Sequence, residues 1–188
     1  MRREYITYSP DMPLNISLCR VKNYPIHWQN AIEIIYVLKG TISITIDTDT
    51  MHLKENDVEI VNIDEAHRLY SDEDNEVLLF HVDPYFFEKY YTDMKNMFFY
   101  TDSNDKNSQF SDEYEDLRTF LSIILCEVVQ KNDDYDEYIE KTLIELLYHL
   151  INNFHYLMYE QEELKEKKNS WKGIIEFLNI FLITIIEI

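Results

Sequence analysis

The chain has 188 residues, 46% of them hydrophobic, which is enough for one good-sized domain, or a domain plus an appendage, with a sizeable core. Its 17 lysines and arginines stand against 36 aspartates and glutamates, a net charge of −19. A domain that acidic repels phosphate backbones and makes a poor stand-alone nucleic-acid binder, while the same charge keeps a solvated surface. The two cysteines, Cys19 and Cys126, have neither C-x-x-C nor zinc spacing, and are expected as buried free thiols in a reducing compartment. The first residues lack the apolar stretch of a signal peptide. The longest apolar run, Phe177–Ile186, is shorter than the about 20 residues that span a bilayer, so the expected location is the cytoplasm, with no membrane partner.

Residues 1–13 read as an N-terminal arm. Asn15–Lys22 alternates apolar and polar side chains and predicts a strand, which Pro25 interrupts. From Ile32 the strand pattern is dense. Glu33–Leu38 is mostly apolar, and Thr41–Asp47 alternates strictly, with Lys39-Gly40 as the hairpin joint. Thr50–Lys54, Val58–Ile63, His67–Tyr70 and Glu76–Val82 follow, separated by polar turns. Short strands at this spacing predict a sandwich or barrel. At Asp83-Pro84 the period changes, with Asp83 as N-cap of a helix expected to reach about Met94. Phe98–Tyr100 is a candidate short strand. Two amphipathic helices, about Glu113–Lys131 and Tyr135–Tyr159, form a hairpin broken at Asn132-Asp133-Asp134. The stripe running through Leu143, Leu146 and Leu150 is the expected dimerisation surface, core packing within one chain being the alternative. After a charged connector, Ser170 is a candidate cap for a short C-terminal helix, Trp171 to about Phe181.

Two polar clusters interrupt the strands. His27 and Gln29 are two apart and share a strand face. Glu33 joins them only if the chain turns near Asn30-Ala31, and His67 must arrive from another strand. Together the four offer two imidazoles, one carboxylate and one amide, a set able to hold a divalent transition metal through His27, Glu33 and His67. A metal-free polar pocket is the plainer expectation, with no cofactor. Tyr36 is a weaker pocket candidate, because its parity on the strand is opposite to that of Glu33. Ser43 and Ser71 lack a nucleophile elbow, neither cysteine has a base beside it, and two glycines leave no phosphate-cradling loop. The chain is therefore not expected to be an enzyme.

H-x-Q-x3-E-x6-G, from His27 to Gly40, resembles the first cupin motif, with Gln29 where a second His would stand. Asn56-Asp57 followed by VNIDEAH resembles the second, with Asn56, Ile63 and His67 at the positions of Gly, Pro and His. IEIIYVLKG, DPYFFEKY, FFYTDSN and the helical hairpin resemble the N-terminal domain of AraC-type transcription regulators, over about residues 10–165. The resemblance implies a mainly β plus α fold: a cupin-like double-stranded β-barrel (jelly roll) over 14–100, then a helical dimerisation hairpin over 101–165. It implies a homodimer that senses a small-molecule effector such as a sugar or other metabolite. Residues 166–188 look like a connector and the opening of a helix-turn-helix domain that lacks its recognition helices. DNA would then be reached only through an intact partner or a missing C-terminal domain. A metal-dependent cupin enzyme is the alternative.

Overall fold

The computed structural model describes residues 2–9, 12–101, 111–160, 162–164 and 166. The order of elements is β1 (Arg2–Glu4), β2 (Leu14–Cys19), β3 (Asn23–Gln29), β4 (Ile32–Lys39), β5 (Thr41–Ile46), β6 (Asp49–Lys54), β7 (Val58–Val61), β8 (His67–Tyr70), β9 (Glu76–Val82), α1 (Pro84–Phe87), β10 (Met97–Tyr100), α2 (Ser111–Gln130), α3 (Tyr135–Asn153) and β11 (His155–Met158). One sheet has the order β1-β3-β8-β5-β6 and the other β2-β9-β4-β7, with β10 and β11 as a separate pair. The expected jelly roll followed by helices is what these sheets and helices build.

Strand alternation makes two cores from one sheet. Ile35 and Val37 of β4 and Val77 of β9 point between the two sheets, where they meet Ile42, Ile44, Leu53 and Leu69. Their neighbours Ile32, Ile34, Leu78, Phe80 and Val82 point the other way and meet Leu117, Leu121 and Ile124 of α2 and Leu143, Leu146 and Leu150 of α3. The expected dimer stripe is therefore corrected. These three leucines are 0–1% exposed within a single chain, in one apolar cluster with α2 and the outer face of the four-stranded sheet. The same stripe serves either purpose, and here it faces home.

Other boundaries moved for local reasons. β1 lies in the expected arm and pairs parallel with β3. β3 runs through Pro25, which sits where the register with β8 shifts between Tyr24 and His27, a place that tolerates a missing N–H donor. Asp83 caps as expected, accepting from the Tyr85 N–H at 3.0 Å, but α1 ends at Phe87, well short of Met94. The second hairpin helix stops at Asn153, and His155–Met158 pairs antiparallel with β10. Asn62 clamps that pair to the barrel: its Nδ2 donates to the Phe99 carbonyl and its Oδ1 accepts the Phe99 N–H. Cys126 is exposed and Cys19 half-buried, against the expectation of buried thiols. No helix among the described residues is long and apolar enough to cross a membrane. The C-terminal helix and the helix-turn-helix start expected over 166–188 lie outside the described residues, apart from Glu166.

Left-handed backbone at two of the turns bears on the motif positions. Gly40 has φ 76°, and a Cβ there would collide with the Asp74 carbonyl oxygen. Asn56 has φ 73° and takes the motif's Gly position, which Asn tolerates better than most side chains.

Gly40→Ala is expected to cost about 1–3 kcal/mol from backbone conformation alone, more with the collision, read as a lower urea midpoint at unchanged slope. Leu146→Ala should cost roughly 2–5 kcal/mol while leaving the mass by light scattering unchanged. A change of mass without loss of stability would return this residue to an interface.

Candidate functional site

Four strands converge on one carboxylate. The chain turns at Asn30-Ala31, where the Asp64 N–H donates to the Gln29 carbonyl at 2.8 Å. That turn sets Glu33 of β4 beside His27 and Gln29 of β3. His67 stands opposite His27 across the β3–β8 pairing, and His81 stands opposite Glu33 across β4–β9. All five side chains are buried: His27 3%, Gln29 0%, Glu33 1%, His67 1% and His81 6% exposed.

The contacts around Glu33 are specific. Gln29 Nε2 donates to Glu33 Oε2 at 3.0 Å. His67 Nε2 lies 2.9 Å from the same oxygen, and His81 Nε2 lies 3.3 Å from Oε1. Both imidazole nitrogens face the carboxylate, and each contact is an ion pair only when its ring is protonated. His27 and His67 each donate from Nδ1 to a backbone carbonyl, of Pro25 and Glu65 respectively, both at 3.1 Å. Because a carbonyl only accepts, these bonds fix the proton on Nδ1 and direct Nε2 inward. The two rings lie 4.1 Å apart, centroid to centroid.

Burial alone would push Glu33 up, but His67 and then His81 hold its carboxyl well below the usual carboxylate range. For His67, burial lowers the imidazole's proton affinity and the Glu33 carboxylate more than restores it, leaving it raised. His27 is lowered, by burial and by the neighbouring His67.

Of the sequence-predicted residues, the fold unites His27, Gln29, Glu33 and His67. Tyr36 is a correction: its side chain is on the outer face of β4, its hydroxyl 3.4 Å from Asn56 Oδ1, in a groove against α2. Opposite parity to Glu33 had predicted this. Two participants were not foreseen. His81 sits in the apolar run EVLLFHV, where parity leaves open which face turns inward, although it groups His81 with Val77 and Leu79. Glu4 arrives on β1, its Oε2 3.6 Å from His27 Nε2 and its Oε1 accepting from the Tyr24 hydroxyl at 2.8 Å. Nothing in so short a segment marks it as a strand.

Ligand atoms of His27, Glu33 and His67 all lie within 4.8 Å of one another. Two imidazoles and a carboxylate form a donor set typical of divalent transition metals. Gln29 Oε1 is buried without a hydrogen-bond partner among the described residues, an acceptor left over in the cluster. The residues present fit a metal.

A barrel of two facing sheets around such a cluster defines a cupin-class domain. In agreement, residues 22–83 match the family described as the cupin domain. No curated protein matches the chain in sequence. Among solved structures, a conserved protein of unknown function from Streptococcus pyogenes is 25% identical, over 39% of this chain and 67% of its own, with a TM-score of 0.36. The Cnp3 cupin domain of Schizosaccharomyces pombe is 16% identical, over 44% and 61%, at 0.39. An oxalate decarboxylase variant from Bacillus subtilis is 22% identical, over 38% and 22%, at 0.36.

The raised His67 and lowered Glu33 set a pH window. Stabilisation from His67 is complete below its ordinary 6.5 and is lost as pH rises through its higher folded value. That from Glu33 is complete above 4.5 and is lost as pH falls through its lower folded value. His27, lowered, opposes folding only as pH falls below 6.5. The thermal midpoint of chelator-treated protein should therefore fall as pH rises above 6.5, and His67→Gln should flatten that fall.

Proposed function

We propose that this chain is the effector-sensing module of an AraC-type transcription regulator, with the buried cluster as its recognition centre and the helical hairpin as its output. The observation that carries the reading is the double use of β4 and β9. Glu33 and His81 face the cluster, while Ile34, Phe80 and their neighbours on the same strands carry α2 and α3. A ligand that displaces Glu33 must shift strands whose other face is packed to interior density against the hairpin. DNA contact, in this reading, belongs to a helix-turn-helix domain on the same or a partner chain, since a net charge of −19 repels a phosphate backbone. The effector is a divalent ion, or a small hydroxylated metabolite such as a sugar bound at the cluster.

A second reading, a metal-dependent cupin enzyme, is favoured by the close grouping of His27, Glu33 and His67. These three would hold the ion, which supplies Lewis acidity when bound. Gln29 and His81 would hold the Glu33 carboxylate in place, and the closed strands would exclude water.

Hydrogen exchange separates the two. Chelator-treated protein is measured alone, with divalent metals, and with a panel of sugars and metabolites, after thermal shift has picked out binders. A sensor shows ligand-dependent protection spreading into α2 and α3, with a stability gain of about 2.7 kcal/mol at a hundredfold excess over Kd. Protection confined to the barrel, together with turnover of a bound metabolite, would move the assignment to the enzyme.

A further inference from the structure

The strand β1 is three residues long, yet it lies in register on β3 with Glu4 opposite Gln29. So short a parallel pairing has little hydrogen bonding of its own to hold it. Its inward side chain, Glu4, reaches the rim of the buried cluster. There Glu4 Oε2 faces His27 Nε2 at 3.6 Å. Because His27 Nδ1–H is engaged by the Pro25 carbonyl, the inward Nε2 of the neutral ring carries a lone pair. Two electron-rich atoms thus face each other across a gap, an arrangement that calls for a cation between them.

Geometry and charge agree on which cation. Ligand atoms about 2.0–2.1 Å from a zinc-like ion lie about 3.0–3.5 Å from one another, close to the 3.6 Å between Glu4 Oε2 and His27 Nε2. A divalent ion on two neutral imidazoles and Glu33 alone would leave one uncompensated positive charge inside a barrel, which is costly. A second carboxylate brings the assembly to zero. Gln29 is the other contender for a fourth position through its Oε1, but its amide is neutral and leaves the charge uncompensated.

We propose that Glu4 is the fourth protein ligand of an ion held by His27, Glu33 and His67, so that ion binding and docking of β1 on β3 are one coupled event. The inference rests on the metal-binding reading of the cluster and goes beyond it. Glu4 stands outside the group whose ligand atoms lie within 4.8 Å of one another, so an entering ion draws it inward. The arm becomes the ion-reporting part of the chain.

Arg2 and Arg3 lie in β1 and make its docking readable by trypsin. The chelator-treated full chain is titrated with Zn²⁺ and Co²⁺ against a chromophoric chelator. Cleavage after Arg2 and Arg3 is followed by mass spectrometry with and without metal, for wild type, Glu4→Gln, Tyr24→Phe and His67→Gln. In wild type, metal should slow cleavage by about tenfold or more, and Glu4→Gln should weaken binding by about 10–100-fold and abolish the slowing. His67→Gln should bind weakly, and Tyr24→Phe, which removes the hydroxyl that donates to Glu4 Oε1, should weaken binding and slowing less than Glu4→Gln does. Wild-type affinity in Glu4→Gln, or cleavage indifferent to metal, overturns the role of Glu4 while leaving the metal centre standing. Failure of wild type to take up either metal overturns the metal centre and this inference with it.

Discussion

One buried carboxylate organises this domain. Glu33 is 1% exposed, and an ionised carboxylate in such a place is tolerated only when surrounded by compensating groups. Gln29, His67 and His81 supply them from three different strands, so the ionic balance of one side chain ties β3, β8 and β9 to β4. The two facing sheets meet at this point. Away from it the interior is plain aliphatic packing around Ile35, Ile44 and Leu69, which fits many barrels equally well. The register of β3 against β8, which a slip of one residue would turn inside out, is pinned by the demand that His27 and His67 both face Glu33.

Much of this was legible because spacing alone determines it. Two residues on one strand, a turn, then a carboxylate four residues later can only converge if the turn falls at Asn30-Ala31, and it does. His67 followed from its motif position. Glu76–Val82 was placed correctly as a strand, but its sequence left open which face turns inward. Val77, Leu79 and His81 are less uniformly apolar than Leu78, Phe80 and Val82, and the greasier face proved to belong to the helices. That is the general difficulty with a strand buried on both sides: alternation no longer separates core from solvent, only one core from another. The same ambiguity hid the destination of Leu143, Leu146 and Leu150, since an apolar helical stripe is identical whether it meets a sheet or a second chain.

The errors at β3 and β11 have a different origin. Pro25 reads as an interruption because it cannot donate to a ladder, yet a register shift supplies a position where no donor is needed. Residues 154–158 continue the hydrophobic repeat of the helix before them, and helix propensity alone would extend it to Tyr159. β10 provides a partner strand, and Asn62 holds that strand to the barrel by both its amide atoms. Long-range pairing overrides local preference in both cases, and no local pattern carries that information.

The departures from the motif also have physical readings of unequal weight. Asn56 in place of Gly is conservative, because the position demands φ 73° and Asn is among the few side chains at ease there. Gln29 in place of His is not. It converts a strong neutral donor into a weak one and spends its amide on Glu33, so the cluster keeps two imidazoles from the motif and gains contact with a third, His81, on the far side of the carboxylate. With one side of Glu33 bound to Gln29 and His67 and the other to His81, its two oxygens are held by different strands. A shift at either oxygen then acts on β9 as well as β4, and these are the strands whose outer faces carry the hairpin. The third histidine thus contacts the carboxylate from the side opposite His67, and so ties β9 to β4 rather than adding a third imidazole beside His27 and His67.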